Sequence, residues 1–215
     1  NAGWHLGRFI SKVNINKPVK QLPVKVLVVS LKGKPGFIEE LINLSGHQYQ
    51  SEEKEGKSFG PDCCCIYLSL KDGQKNDPEL IFLTFSQRLL VFASNYTIEK
   101  ELKLIDSKIA ILRKSFPKAR LAICLPWASG VSQDYFGEKY GCGVQRWDYH
   151  QANKRIVKHI LAKYSKQDLI EILPTNILID PGNGYMGNSL RLNRKGKNAL
   201  SSYLISCLKR ETKQR

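Results

Sequence analysis

The 215-residue sequence predicts one α/β domain, a three-layer α/β/α sandwich built on a central parallel sheet. Three observations carry that expectation. Four short apolar runs, "VKVLVV" (24–29), "CCCIYLSL" (63–70), "ARLAICLP" (119–126) and "LIEIL" (169–173), are near-continuous and bounded by turn residues, as suits strands buried on both faces. Helical periodicity fills the intervals between them. The first run also leads straight into a glycine-bracketed loop, "SLKGKPG" (30–36), followed by a helix, an arrangement in which backbone N–H groups converge on a ligand.

Taken in order, residues 1–23 are polar and basic, close with "NINKPVKQLP", and are expected to form a surface arm; residues 24–215 carry no internal repeat and are read as a single domain. In "TIEKELKLIDSKIAILRKSF" the residues Ile98, Leu102, Ile105, Ile109 and Leu112 recur at spacings of three and four and give one apolar stripe. Thr97 suits the N-cap of this helix, and Glu99 in its first turn suits the helix dipole. "DYHQANKRIVKHILAKY" places Ala152, Ile156, Ile160 and Tyr164 on one face, and "ALSSYLISCLKR" does the same with Leu200, Leu204, Cys207 and Leu208.

A hydrophobic content of 42% with 25% charged residues is that of an ordinary globular chain, which argues against disorder. The 34 basic residues exceed the 19 acidic ones, for a formal charge of +15 and a pI near 9.6. Such a balance favours polyanionic partners: nucleic acid, anionic lipid head groups, acidic glycans or a small anionic molecule. No run of 18 apolar residues exists, so no transmembrane segment is expected. Cys63, Cys64 and Cys65 are consecutive within an apolar run, where neighbouring side chains point to opposite faces, so free buried thiols are expected rather than bridges. Free thiols favour a reducing, cytoplasmic compartment, although the Asn-Ala start leaves room for a removed signal segment. There is no CxxC, and His5, His47, His150 and His159 are scattered, so neither a metal site nor a cofactor is expected.

Four stretches together resemble the SGNH, or GDSL-type, hydrolases. "SLKGKPG" is similar to the "GDSxxxG" that ends the first strand of that family, with Gly36 in the glycine place. "PDCCCIYLSLKD" (61–72) resembles the third motif, in which an apolar strand leads into "GxND", and "NSLRLNRKG" (188–196) resembles the "DxxHxxxxG" before the last helix, with Gly196 in register. The stretch 116–156 looks like the strand, loop and helix of phage and bacterial members. The resemblance covers roughly residues 24–209 and implies the three-layer, flavodoxin-like sandwich.

The same resemblance implies a degenerate member. The nucleophilic serine falls on Lys32, the oxyanion-hole asparagine on Lys71, the glycine donor on Ser69, the histidine base on Arg191 and its aspartate on Asn188. Arg191 cannot serve as a base, because its guanidinium stays protonated. Lys32, Ser69, Lys71, Asn188 and Arg191 are therefore expected to line a former active site that binds an anionic or carbohydrate-like ligand or a macromolecular partner, with Asp72, Asp134 and Asp180 as internal counter-charges in the competing case. A slipped register would instead make Ser30 the nucleophile, with His150, His159 or Asp180 as its base and ester hydrolysis as the outcome. Trp127, Tyr135, Phe136, Tyr140, Trp147 and Tyr149 crowd a long loop, either to stack on a ligand or to pack the loop onto the sheet. From Arg191 onward the chain carries eight basic residues against one acidic residue, which keeps nucleic-acid binding open as a third reading.

Overall fold

In the computed structural model the described residues are 25–55, 63–70, 77–86, 89, 98–132 and 146–208. The N-terminal arm, Lys71, Asp72, Thr97, Asp134, Tyr135, Phe136, Tyr140 and the last seven residues of the basic tail lie outside them. The elements are β1 (Lys25–Leu31), α1 (Ile38–Leu44), β2 (Tyr49–Glu55), β3 (Cys63–Leu70), β4 (Leu80–Phe85), α2 (Ile98–Ser115), β5 (Arg120–Cys124), α3 (Arg146–Tyr164), β6 (Ile170–Leu173), α4 (Thr175–Leu178) and α5 (Arg194–Leu208).

The strands form a six-stranded sheet in the order β2-β3-β1-β4-β5-β6. β1 pairs in parallel with β4, β4 with β5 and β5 with β6, whereas β3 runs antiparallel to both β1 and β2. The sheet is thus mostly parallel, in keeping with the expected sandwich, with β3 as its antiparallel member. Connection length is the physical reason. Seven residues separate β2 from β3, enough for a hairpin and too few for the crossover that a parallel pair requires. β4, whose run is "LIFLTF", takes the parallel place beside β1.

β1 shows why its run is continuously apolar. Leu27, Val29 and Leu31 enter one core and Val26 and Val28 the other, so both faces are covered. On the first face α2 and α3 deliver the predicted stripes, with Ile98, Ile105, Ile109 and Leu112 from one helix and Tyr149, Ala152, Ile156, Ile160 and Tyr164 from the other. On the second face α1 and α5 pack against each other and bring Leu41, Leu200, Leu204, Cys207 and Leu208 to the sheet. The result is the three-layer α/β/α sandwich. Among the described residues no helix is long and apolar enough to cross a membrane.

Burying one such Leu or Ile contributes roughly 1.5–3 kcal/mol, so these two stripes are the main source of cohesion between the layers. Polar bonds add to it between α2 and α3, where Asp106 accepts hydrogen bonds from His159 (2.8 Å), Lys163 (2.6 Å) and Tyr164 (2.6 Å). Because β1, β4, β5 and β6 are parallel, their carboxyl ends at Leu31, Phe85, Cys124 and Leu173 share one edge of the sheet. Loops leaving that edge build the candidate site.

Candidate functional site

The loop after β1 answers why two lysines stand there. Lys32 has a left-handed backbone, with φ of +58°, uncommon for a residue with a side chain. Its ammonium meets Glu101 Oε1 of α2 at 2.5 Å, and that carboxylate is only 5% exposed. Strand alternation alone would put position 32 on the same face as Ser30; the backbone turn lets its ammonium reach the α2 layer instead. Gly33, at φ of +158°, passes so close to the end of β4 that a Cβ would lie 2.7 Å from Ser86 Oγ. Lys34 meets both carboxylate oxygens of Glu53, at 2.8 and 2.9 Å, on the surface. Each lysine of the loop is therefore ion-paired.

Beside that loop lies a crevice of about 800 Å³. Ser30 and Thr84, register partners at the ends of β1 and β4, form its buried floor. Thr84 donates to the Val29 carbonyl at 3.3 Å, while the Ser30 hydroxyl, on a residue only 1% exposed, has no hydrogen-bond partner among the described residues. Phe37, Phe85, Trp127, Leu190 and Leu192 make apolar walls, and Gly36 faces open space. The cations at its rim are Lys34, Arg191 and Lys197, and no carboxylate is among the described residues that line it.

Lys32 does not line this crevice, and Ser69 lies far from it. Ser69 pairs with Lys25, at the amino end of β1, whereas Cys63 pairs with Leu31 at the carboxyl end. The antiparallel course of β3 thus carries Ser69 to the opposite edge of the sheet, so Ser69 and Arg191 do not converge and the expected constellation is corrected there. The strand end beside "SLKGKPG" is that of β4, where the Ser86 amide donates to the Leu31 carbonyl at 2.9 Å.

Arg191 does reach the crevice, and its loop is well defined. Asn188 Oδ1 accepts from the Leu190 and Arg191 amides at 3.0 and 2.7 Å, so the residue in the family's aspartate place folds a turn. Asn193 caps α5 by accepting from the Gly196 amide at 2.9 Å, and its amide donates to the Gly184 carbonyl at 2.8 Å. A Cβ at Gly196 would lie 2.3 Å from the Tyr185 carbonyl oxygen, so only glycine fits where the helix crosses that strand-like segment. In "NSLRLNRKG" Asn188, Asn193 and Gly196 thus have structural roles, and Arg191 is the cation that reaches the crevice. No acidic residue occupies the first turn of α5, which instead carries Arg194, Lys195 and Lys197. Lys197 meets Glu40 at 3.3 Å, and Lys195 lies over the Tyr185 ring.

His150 and Ser30 are not brought together. His150 lines a separate shallow depression with Ala128, Asn153 and Asn176, and its Nε2 lies 3.4 Å from Ser129 Oγ. Burial, reinforced by the Arg146 charge, holds the His150 imidazole below the usual histidine range, so it is neutral at pH 7. His159 is engaged by Asp106, and Asp180 accepts from the Gly182 amide at 2.8 Å, so both have structural partners. Tyr149 is fully buried and, with Asn153, donates to the Trp127 carbonyl, which fastens the loop after β5 to α3; Trp147 is 69% exposed. Glu101, Thr84, Ser86, Lys197 and Ser129 escaped the sequence reading, because each acts through a partner distant in the chain. Among the described residues no group of His, Cys, Asp and Glu could hold a metal ion.

No protein-family model matches the chain, and no curated protein sequence matches it. Among solved structures it is similar to a Streptococcus pneumonia protein provisionally described as a platelet activating factor, with a TM-score of 0.48 and 16% identity over 62% of this chain and 61% of that one. It is similar also to a peptidoglycan O-acetylesterase (TM-score 0.42, 12% identity, 68% of this chain and 49% of that one) and to a Lactobacillus plantarum structural genomics target (TM-score 0.38, 17% identity, 61% and 67%). The chain spans less than two thirds of the first two.

Proposed function

We propose that this chain is an SGNH-hydrolase-like domain that lacks the family's catalytic residues in its crevice and uses that crevice to bind an anionic ligand, a small molecule or an acidic glycan. One observation carries the reading: three basic side chains and no carboxylate among the described residues that line the space. Lys34 and Lys197 have acidic partners nearby, whereas no carboxylate faces Arg191 among the described residues. The N-terminus of α5 adds its partial positive charge on the same side. Catalysis in the crevice is disfavoured by the same side chains, since acyl transfer needs a base within reach of the nucleophile and the residue in the base's place is an arginine.

The test is a thermal-shift titration with inorganic phosphate, sulfate and acetate. A ligand that binds only the folded state raises Tm by mass action, and the rise should be lost in Arg191→Ala. Equal shifts in both proteins would overturn the reading. Retention on heparin or DNA with a steep salt slope, unaffected by Arg191→Ala, would instead favour the nucleic-acid reading.

A second reading, ester hydrolysis by displaced residues, draws support from the neutral His150 beside Ser129 rather than from Ser30. A serine-directed fluorophosphonate probe separates the cases. Labelling of Ser129 that is lost in His150→Ala would establish it, and an unlabelled protein with no hydrolysis of short acyl esters would sink it.

A further inference from the structure

The crevice is not uniformly polar, and its gradient says what kind of anion fits. Its cations are at the mouth: the Lys34 side chain is 72% exposed, Arg191 is exposed and Lys197 is partly so. Its interior is apolar, with Phe37, Phe85, Trp127 and Leu190 all buried and Leu192 partly buried beside them. The polar groups at its floor are the buried Ser30 and Thr84 hydroxyls, and the Trp127 indole N–H beside them is buried without a partner among the described residues. An inorganic anion would gain only the mouth and leave the apolar walls wet. A sugar acid would set most of its hydroxyls against Phe37, Phe85, Leu190 and Leu192, which offer them no hydrogen bonds, with only the unpaired Trp127 indole N–H among the walls able to donate.

Resting on the anion-binding reading above, the geometry points to an amphiphilic anion, one carboxylate or phosphate monoester on an apolar chain or ring, as the ligand class. The charged head pairs with the Arg191 guanidinium, which suits the fork of a carboxylate or phosphate. The apolar body enters between Phe37, Phe85, Leu190 and Leu192. A volume of about 800 Å³ is in the range that takes a drug-sized molecule.

Calorimetric titration of the full chain with hexanoate, octanoate, decanoate, decanol and glucuronate tests this. Affinity should rise about fourfold per methylene along the carboxylates, the factor that corresponds to one buried CH₂. Decanol should bind at least tenfold more weakly than decanoate, and glucuronate more weakly still. Arg191→Ala should bring decanoate down to the level of decanol while leaving decanol unchanged, and Leu192→Ser, at a partly exposed position and with its fold checked by Tm, should flatten the chain-length series. If the carboxylates bind through Arg191 without any gain from chain length, or glucuronate binds as tightly as decanoate, the amphiphile inference is wrong and the anion reading stands. If decanol equals decanoate, or Arg191→Ala changes neither, the anion reading itself is wrong. Absence of binding by all five overturns both.

Discussion

The two faces of the sheet treat their charges differently. On the face covered by α2 and α3, Lys32 meets Glu101, Arg155 meets Glu99, and His159, Lys163 and Tyr164 converge on Asp106. On the face covered by α1 and α5, Lys197 meets Glu40, but Arg191 looks into a crevice lined by no carboxylate among the described residues, beside a helix with no acidic residue in its first turn. Charge that is matched internally holds layers together; charge left unmatched at a concave surface is available to a ligand. Lys32 and Arg191, which the resemblance places in one site, fall on opposite sides of this division.

The largest effect expected from breaking the comparison is at Lys32. Lys32→Met leaves the buried Glu101 carboxylate unpaired, with its Oε2 already lacking a partner, and should lower stability by about 3 kcal/mol in chemical denaturation. The double variant Lys32→Met/Glu101→Leu should recover most of that loss, because no buried charge is then left behind. Neither variant should alter the Tm rise given by anions. Arg191→Ala should do the reverse, abolishing the rise while changing stability by less than about 0.5 kcal/mol, as expected of an exposed side chain away from the core. A loss of anion response in Lys32→Met would return that lysine to the site and dissolve the contrast.

A smaller effect concerns Asp106. Burial alone would raise its pKa, but hydrogen bonds from Lys163, Tyr164 and His159 outweigh burial and hold the carboxyl below its usual range. A group whose folded pKa is depressed contributes stability that is present above its unfolded value, about 3.9, and lost as pH falls through the folded value. Stability measured from pH 6 downward should therefore decline through the acid range, and Asp106→Asn should flatten part of that decline. It should also cost about 1–2 kcal/mol at neutral pH through weakened hydrogen bonds. An acid limb of unchanged steepness in Asp106→Asn would mean that the α2–α3 face is not pinned by this carboxylate.

The contrast between the faces was only half legible in the sequence. The stripes Ile98 to Leu112 and Ala152 to Tyr164 announced α2 and α3, because a period of 3.6 residues survives in the sequence. The run at 63–70 announced a strand and not its direction, since eight apolar residues look alike in either sense; the short connection from β2 decided it. Gly196 could be read from the sequence as a close approach near the start of α5, where Asn193 caps the helix three residues before it. Lys32 was assigned to the wrong side because its partner Glu101 lies 69 residues away and its left-handed backbone leaves no mark at a lysine. Ser129 and His150 met through tertiary packing 21 residues apart, with nothing local to signal it.

The smallest expected effect uses the cysteine triplet to read the same two faces. Cys63 and Cys65 belong to the α2–α3 core, and Cys64 packs at the border of the other, partly exposed beside Glu53. None of the three is in a disulfide. Burial pushes the Cys65 thiol up to about 12, so it is protonated and shielded under native conditions. The Cys64 thiol is raised by burial and then by the Glu53 charge, which makes it slow but reachable. Native thiol labelling at pH 8, resolved by peptide mass, should mark Cys64 first and leave Cys63 and Cys65 unmodified until denaturant is added. Glu53→Gln should speed the Cys64 reaction by removing the adjacent negative charge, while changing stability by less than about 0.5 kcal/mol because the Lys34 pair it breaks is on the surface. Labelling of Cys63 or Cys65 at the rate of Cys64 would show that the α2–α3 face opens readily, and the division between a sealed face and a receptive one would then fail at its better-supported half.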